Sequence, residues 1–333
     1  MRSRHLSPRT RALLFLVIGA VLLTVSGFIG ELRTYQGAQV AVYMIAIASI
    51  ILLTGYSGQI SLGHGAVMAV GGYGAALSFN LWHFPFAIAL LFGVLVGAFG
   101  GFVLGVAAAR LSGPYLAGTT LALAVGLPTI ADQFHVLGGE QGLNFDIGDP
   151  PRWVVRLEGG DFTQYKWFFW ISIVVALVAL WGITNLLHSS YGRNWRAGRN
   201  NAVAAGLAGI NVARGKVLAF TVSSALASLA GALFALLLGL VTPTAFPLSL
   251  SFAIVTGAVL AGVGNLAGSI VGGVVLVAIP ELSNTAAAHF GGSDKVTANL
   301  PGVITSVLLI ATVLFVPNGP KLPRMKFLAR TRQ

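Results

Sequence analysis

Ten stretches of this chain are apolar for long enough to cross a bilayer, at about 12–30, 38–54, 59–79, 86–109, 115–134, 167–188, 216–240, 249–264, 267–286 and 300–316. A hydrocarbon core tolerates only segments that satisfy their own backbone hydrogen bonds, so runs of this length predict helices. The expectation is an all-α polytopic membrane protein of about ten transmembrane helices, some broken by glycine. Composition agrees: 56% hydrophobic residues, 9% charged residues and a mean hydropathy of +0.85 leave too little polar surface for soluble domains in 333 residues. The first run follows an arginine-rich start, but its length and the poor cleavage site in SGFIGEL favour a retained first helix over a signal peptide. The absence of cysteine excludes disulfides, thiol catalysis and cysteine-held zinc or iron–sulfur sites.

A net charge of +11 invites a nucleic-acid reading until the charges are placed on the spans. An even number of spans puts both termini on one side, and the basic ends (Arg2, Arg4, Arg9, Arg11; Lys321, Arg324, Lys326, Arg330, Arg332) put that side in the cytoplasm. Arg110, Arg193, Arg196, Arg199, Arg214 and Lys216 then join them, so fifteen of the 20 basic residues lie inside, and all nine acids fall in outer loops or outer halves of helices. Membrane sidedness therefore accounts for the basic excess, with a lipid bilayer and no nucleic acid as the partner. The expected organisation is one transmembrane domain over 1–333, with a cytoplasmic N-terminus (1–11), an outer loop (135–166), a cytoplasmic loop (189–215) and a cytoplasmic tail (317–333).

Glycine interrupts the membrane segments twice, at 55–77 (GYSGQISLGHGAVMAVGGYGAAL) and 257–275, one in each half of the chain. Helices two to five begin outside and seven to ten inside, which is the relation of an inverted repeat. Gly71, Gly72 and Gly74, and the pairs Gly93/Gly97, Gly101/Gly105 and Gly268/Gly272, read as close helix packing. Gly55, Gly58, Gly63 and Gly65 bracket Tyr56, Gln59, Ser61 and His64, whose polar atoms need partners inside hydrocarbon, so a broken segment lining a wet path is the better reading there. His64 has no second histidine or carboxylate at ligand spacing, which favours a bond to a neighbouring helix over a proton relay. Asp132 and Glu281 lie near outer helix ends, where interfacial solvation competes with a role as coupling carboxylates.

The inner loop contains NNAVAAGLAGINVARGK, in which Val203, Leu207 and Ile210 recur at helical spacing on a short helix that Asn200 or Asn201 caps. Gly209 ends that helix and Asn211 caps the next. Arg193, Arg196 and Arg199 precede it with Trp195 among them, so the segment either lies on anionic headgroups or docks into another protein. Arg214-Gly215-Lys216 lacks the spacing and the Ser/Thr of a phosphate loop, and no HExxH or GxSxG occurs, so no enzyme signature remains.

At GYSGQISLGHGA, RLSGPYLAGTTLAL, GGEQGL, GRNWRAGRNNAVAAGLAGINVARGKVLAF and GAVLAGVGNLAGSIVGG…PEL, in that order, the chain resembles the permease subunits of branched-chain amino acid ABC importers, M-type paralogue, over about 40–316. The resemblance implies a permease without catalysis or cofactor of its own, in a bacterial inner membrane. It also implies pairing with an H-type permease and two ATP-binding-cassette subunits, fed by a periplasmic binding protein. Residues 189–215 become the ATPase-coupling loop, carried by Gly192, Arg193, Trp195, Arg196, Val203, Leu207, Gly209, Ile210 and Asn211. The translocation path is assigned to Gln59, Ser61, Gly63 and His64, with Asn265, Asn299 and Pro301 as further candidates. Relatives carry acids in the coupling helix where this chain has Gly198-Arg199-Asn200-Asn201 and Ala204-Ala205-Gly206. Two alternatives stand beside this: a permease for urea or another small solute, and a stand-alone proton-coupled transporter using His64, Asp132 and Glu281.

Overall fold

A computed structural model describes residues 8–111, 113–145, 147, 150–151, 154–155, 163–262, 264–289, 300, 303–304 and 306–307. Six helical segments among them are long and apolar enough to cross a membrane: Glu31–Tyr56, Phe86–Arg110, Pro114–Gln133, Gln164–His188, Val212–Leu238 and Pro243–Leu260. Thr10–Ser26 and Gly268–Leu282 are apolar but shorter. The helix His64–Trp82 is long enough yet less apolar, because glycine and polar side chains dilute it. The expected tenth run falls almost wholly outside the described residues, as do Asn299, Pro301 and residues 317–333.

Helix α2 (Glu31–Ile50) is the centre of the bundle, and its second half, from Ala41 to Ile50, is almost wholly apolar and shielded except at Tyr43. It packs on α6 (Gln164–His188), α9 (Val212–Leu238) and α11 (Gly268–His289). The tightest packing joins α9 to α3 (His64–Trp82) and α4 (Phe86–Arg110). The sequence shows why: Gly93, Gly97, Gly101 and Gly105 form one stripe along α4, and all four are buried. A Cβ at Gly97 would lie 2.3 Å from Ser228 Cβ, and one at Gly101 2.3 Å from Ser224 Cβ, so α9 lies in a groove that only glycine leaves open. The opposite side of α4 exposes Leu91, Leu95, Phe99, Phe102, Val103 and Val106, an apolar face suited to lipid.

The remaining apolar helices are α1 (Pro8–Ser26), tied to α6 by Trp170 Nε1–H donating to Ser26 Oγ at 2.9 Å, α5 (Pro114–Gln133) and α10 (Leu248–Leu260). At one end, GGEQGL becomes a 3₁₀ turn at Gly139–Gln141 and a strand β1 (Leu143–Asn144). That strand pairs antiparallel with β2 (Leu240–Val241), Leu143 opposite Val241, and Phe145 fills the space beneath against Phe79. At the other end the α6–α9 connection folds into α7 (Ser190–Asn200) and α8 (Ala202–Leu207).

Candidate functional site

Two neighbouring features hold nearly all the candidate residues: an unwound joint between α2 and α3, and the α7–α8 loop beside it. The joint begins where α2 widens into a π-helical turn over Ile51–Tyr56. Ser57 N–H reaches back to Leu52 O at 3.2 Å and Gln59 N–H to Leu53 O at 3.2 Å, after which the chain is irregular up to His64. Gly58 makes the reversal, at φ +74°, a left-handed conformation that a side chain disfavours.

From there the polar groups are satisfied across helices. Leu62 N–H donates to Thr120 Oγ1 on α5 at 3.0 Å. Gly63 offers no side chain to cap α3, and Ser251 on α10 does so instead, its Oγ accepting from Gly65 N–H at 2.9 Å. His64 sits between Ser61 Oγ (3.2 Å from Nδ1) and Ser223 Oγ (3.0 Å from Nε2). The tautomer follows by elimination. Ser223 spends its one proton on Ser49 O at 2.8 Å, so Nε2 must carry the hydrogen, and Nδ1 accepts from Ser61. One neutral imidazole thus links α2, α9 and the joint.

Gln59 is buried; its Nε2 donates to Ser57 Oγ at 2.7 Å and to Lys216 O at 3.4 Å, whereas its Oε1 has no partner among the described residues. Asn265 is not brought to this group. It lies in the exposed α10–α11 turn, with Oδ1 accepting from Ala267 N–H at 3.1 Å. Asp132 is half-buried near the end of α5 and Glu281 is exposed on α11.

The loop is braced rather than laid loosely on a surface. Ser189 caps α7, accepting from Tyr191 N–H at 3.2 Å. Trp195 is buried and its indole N–H donates to Gly215 O in α9 at 2.8 Å. Arg196 donates to Gly192 O and, at 3.2 Å, to Leu187 O at the end of α6, and its guanidinium lies 5.7 Å from the Tyr56 ring centroid. Arg193 donates to His188 O. Asn201 caps α8 through Ala204 N–H at 3.0 Å, and Asn211 caps α9 through Arg214 N–H at 2.9 Å. Gly209, at φ +81°, closes α8.

The expected three-residue stripe divides here. Val203 and Leu207 are 74% and 87% exposed, but Ile210 lies beyond the helix end, half-buried, its N–H donating to Ala205 O at 3.0 Å. Two parts of the site escaped the sequence reading. Helix α7 did, although Ser189 ahead of the basic run is a cap signal. So did the serine face of α9, Ser223, Ser224 and Ser228, three buried hydroxyls in the apolar middle of that helix.

Residues 35–316 match the family model described as branched-chain amino acid transport system / permease component. The chain is 30% identical over 289 residues to the high-affinity branched-chain amino acid transport system permease protein LivM of Escherichia coli (strain K12), covering 81% of this chain and 68% of that protein. Identity is also 30% with LivM of Salmonella typhimurium, over 72% of this chain, which spans 61% of that relative's length. The permease protein LivH of Escherichia coli (strain K12) is 29% identical over half of this chain and 52% of its own. With the family match covering the bundle, the unwound joint and the α7–α8 loop together, the chain belongs to the family of permease components of branched-chain amino acid transport systems.

Proposed function

We propose that the chain is the membrane-spanning permease subunit of an ATP-driven importer in a bacterial inner membrane, moving branched-chain amino acids handed over by a periplasmic binding protein. It spans the membrane about ten times, in two inverted halves, with both termini and residues 189–215 on the cytoplasmic side and 135–166 outside. A paralogous H-type permease completes the pore. ATP hydrolysis belongs to two separate ATP-binding-cassette subunits.

The observation that carries this reading is α8: a helix without charge that holds Val203 and Leu207 out to solvent, on a loop bonded to the ends of α2, α6 and α9. Such a helix is shaped to be gripped by a partner, and its bracing passes the partner's movement to three spans. The path runs past Gln59, Ser61, Gly63 and His64, with Asn265, Asn299 and Pro301 as further lining residues. Gln59, Ser61 and His64 are each at most 4% exposed, so the path is shut at the joint in this conformation. The unpartnered Gln59 Oε1 is costly there, about 1–3 kcal/mol for a buried polar atom, and is free to meet water or solute when the joint opens.

The test is Leu207→Asp in the assembled complex. Placing a charge in the docking contact costs about 2 kcal/mol of association, a ~30-fold loss, read by ATPase co-purification and by ATP-driven uptake of radiolabelled leucine in proteoliposomes. Unchanged association and uptake would remove α8 from the interface.

A further inference from the structure

The joint and the loop are not merely adjacent. Helix α7 is held to α6 through Arg196 and to α9 through Trp195, so it moves with the ends of both. Its last turn carries Arg199, which crosses to the joint and donates from Nη1 to Gly55 O. That carbonyl belongs to the final turn of α2, where the widening helix leaves acceptors open and the helix dipole favours a cation. The aliphatic stem of the same arginine lies across Gly58. A Cβ added there would come within 2.8 Å of Arg199 Cγ, on a backbone whose φ already disfavours side chains.

Arg199 therefore touches the joint twice, by charge at Gly55 and by packing at Gly58, while Arg196 one turn earlier stacks on Tyr56. Four residues past Gly55 stands Gln59, followed by Ser61 and His64, each bonded within the joint or to α9. Push or tilt α7 and the first backbone to move is the end of the joint that Arg199 holds.

We infer that Arg199 is a positioning residue, the strut through which displacement of the docking loop unseats the unwound joint and opens the path. The inference rests on the transport reading above. Gly58 is the seat of the strut, kept bare so that the stem can lie flat. Arg196 steadies it from Tyr56, on the helical side of the joint.

The test uses the complete complex in proteoliposomes. The chain has no cysteine, so Ile60→Cys, 51% exposed and within the joint, gives this subunit a single thiol, and the rate of labelling read on the separated subunit band reports joint opening. With Arg199 intact, that rate changes between the nucleotide-free state and the state trapped with ADP and vanadate. In Arg199→Gln the ATPase still co-purifies through Val203 and Leu207, but the nucleotide-dependent change at residue 60 disappears and leucine uptake falls about tenfold, the scale of one lost coupling term. Arg199→Lys, which keeps a cation at the carbonyl, recovers part of the uptake; a role in packing alone would leave Lys and Gln alike. If Arg199→Gln does not assemble, Gly58→Ala decides, because it displaces the stem from the other side. Uptake and labelling that match the unaltered complex in the deciding variant overturn the strut. An unaltered complex that assembles yet takes up no leucine overturns the transport reading instead, a result visible before any variant is made.

Discussion

The two glycine-interrupted joints look alike in sequence and differ in what holds them. Between α2 and α3, Gly58 turns the chain at φ +74° and the following residues bond to α5, α9 and α10. Between α10 and α11, Gly262 turns it at φ +83°, but the bonds that follow are local: Asn265 N–H to Gly262 O, Gly268 N–H to Asn265 O and Ser269 N–H to Leu266 O, each at 3.0 Å. Glycine content sets where a membrane helix stops. Whether the break becomes a node of the bundle or a self-contained turn depends on the polar side chains within reach: at the first joint Leu62 N–H, Gly65 N–H and the His64 ring meet the hydroxyls of Thr120, Ser251 and Ser223 on three other helices, whereas among the described residues the bonds of the second joint stay within its own turn.

The largest difference is expected for the smallest change. At Gly63 an added Cβ would meet Thr120 O at 2.5 Å, and that oxygen is backbone on a neighbouring helix, so Gly63→Ala forces α3 from α5 at a cost of about 1–3 kcal/mol. At Gly264 nothing among the described residues lies within 4 Å, and Gly264→Ala stays within about 0.5 kcal/mol of the parent. Equilibrium unfolding in mixed micelles measures both. Equal effects would mean that the first joint is no more tightly seated than the second.

Next comes the imidazole. His64→Leu keeps most of the volume but leaves the Ser61 hydroxyl without its acceptor and removes the donor to Ser223, which keeps its own bond to Ser49 O, and interhelical hydrogen bonds in membranes average about 0.6 kcal/mol with a ceiling near 1.7. One interhelical bond to Ser223 and one bond within the joint to Ser61 put the expected loss at about 1–2 kcal/mol. His64→Gln, which can bond one serine at a time, falls between the parent and Leu.

How much of this could be read beforehand follows from the range of each interaction. Run length located most spans, and the four-residue spacing of Gly93 to Gly105 identified the α4 groove, because both are local patterns. The need of Gln59, Ser61 and His64 for partners was equally local. The partners were not: Ser223 is 159 residues from His64, and Thr120 58 residues from Leu62, distances across which one sequence carries no pairing signal. Helix α7 was missed because its residues are polar and its stability is tertiary, coming from Trp195 and Arg196 reaching into α9 and α6. Ile210 was placed on the docking stripe by extending the helical period past Gly209, whose left-handed φ ends the helix before that period completes.

The smallest effect tests the second joint directly. Asn265 is exposed and its amide oxygen accepts one hydrogen bond, from Ala267 N–H two residues on, a turn within its own segment. Asn265→Ala releases a donor that water can take over, so the cost is expected to stay below about 0.5 kcal/mol, near the bottom of the range for a lost polar contact at a solvent-facing site. If Asn265 also lines the path, the variant should nonetheless slow leucine uptake at unchanged stability, and that split between transport and folding is what separates a path residue from a turn residue. A loss of stability comparable to that of His64→Leu would instead mean that the second joint has partners beyond its own turn, and the contrast between the two breaks would then be one of degree.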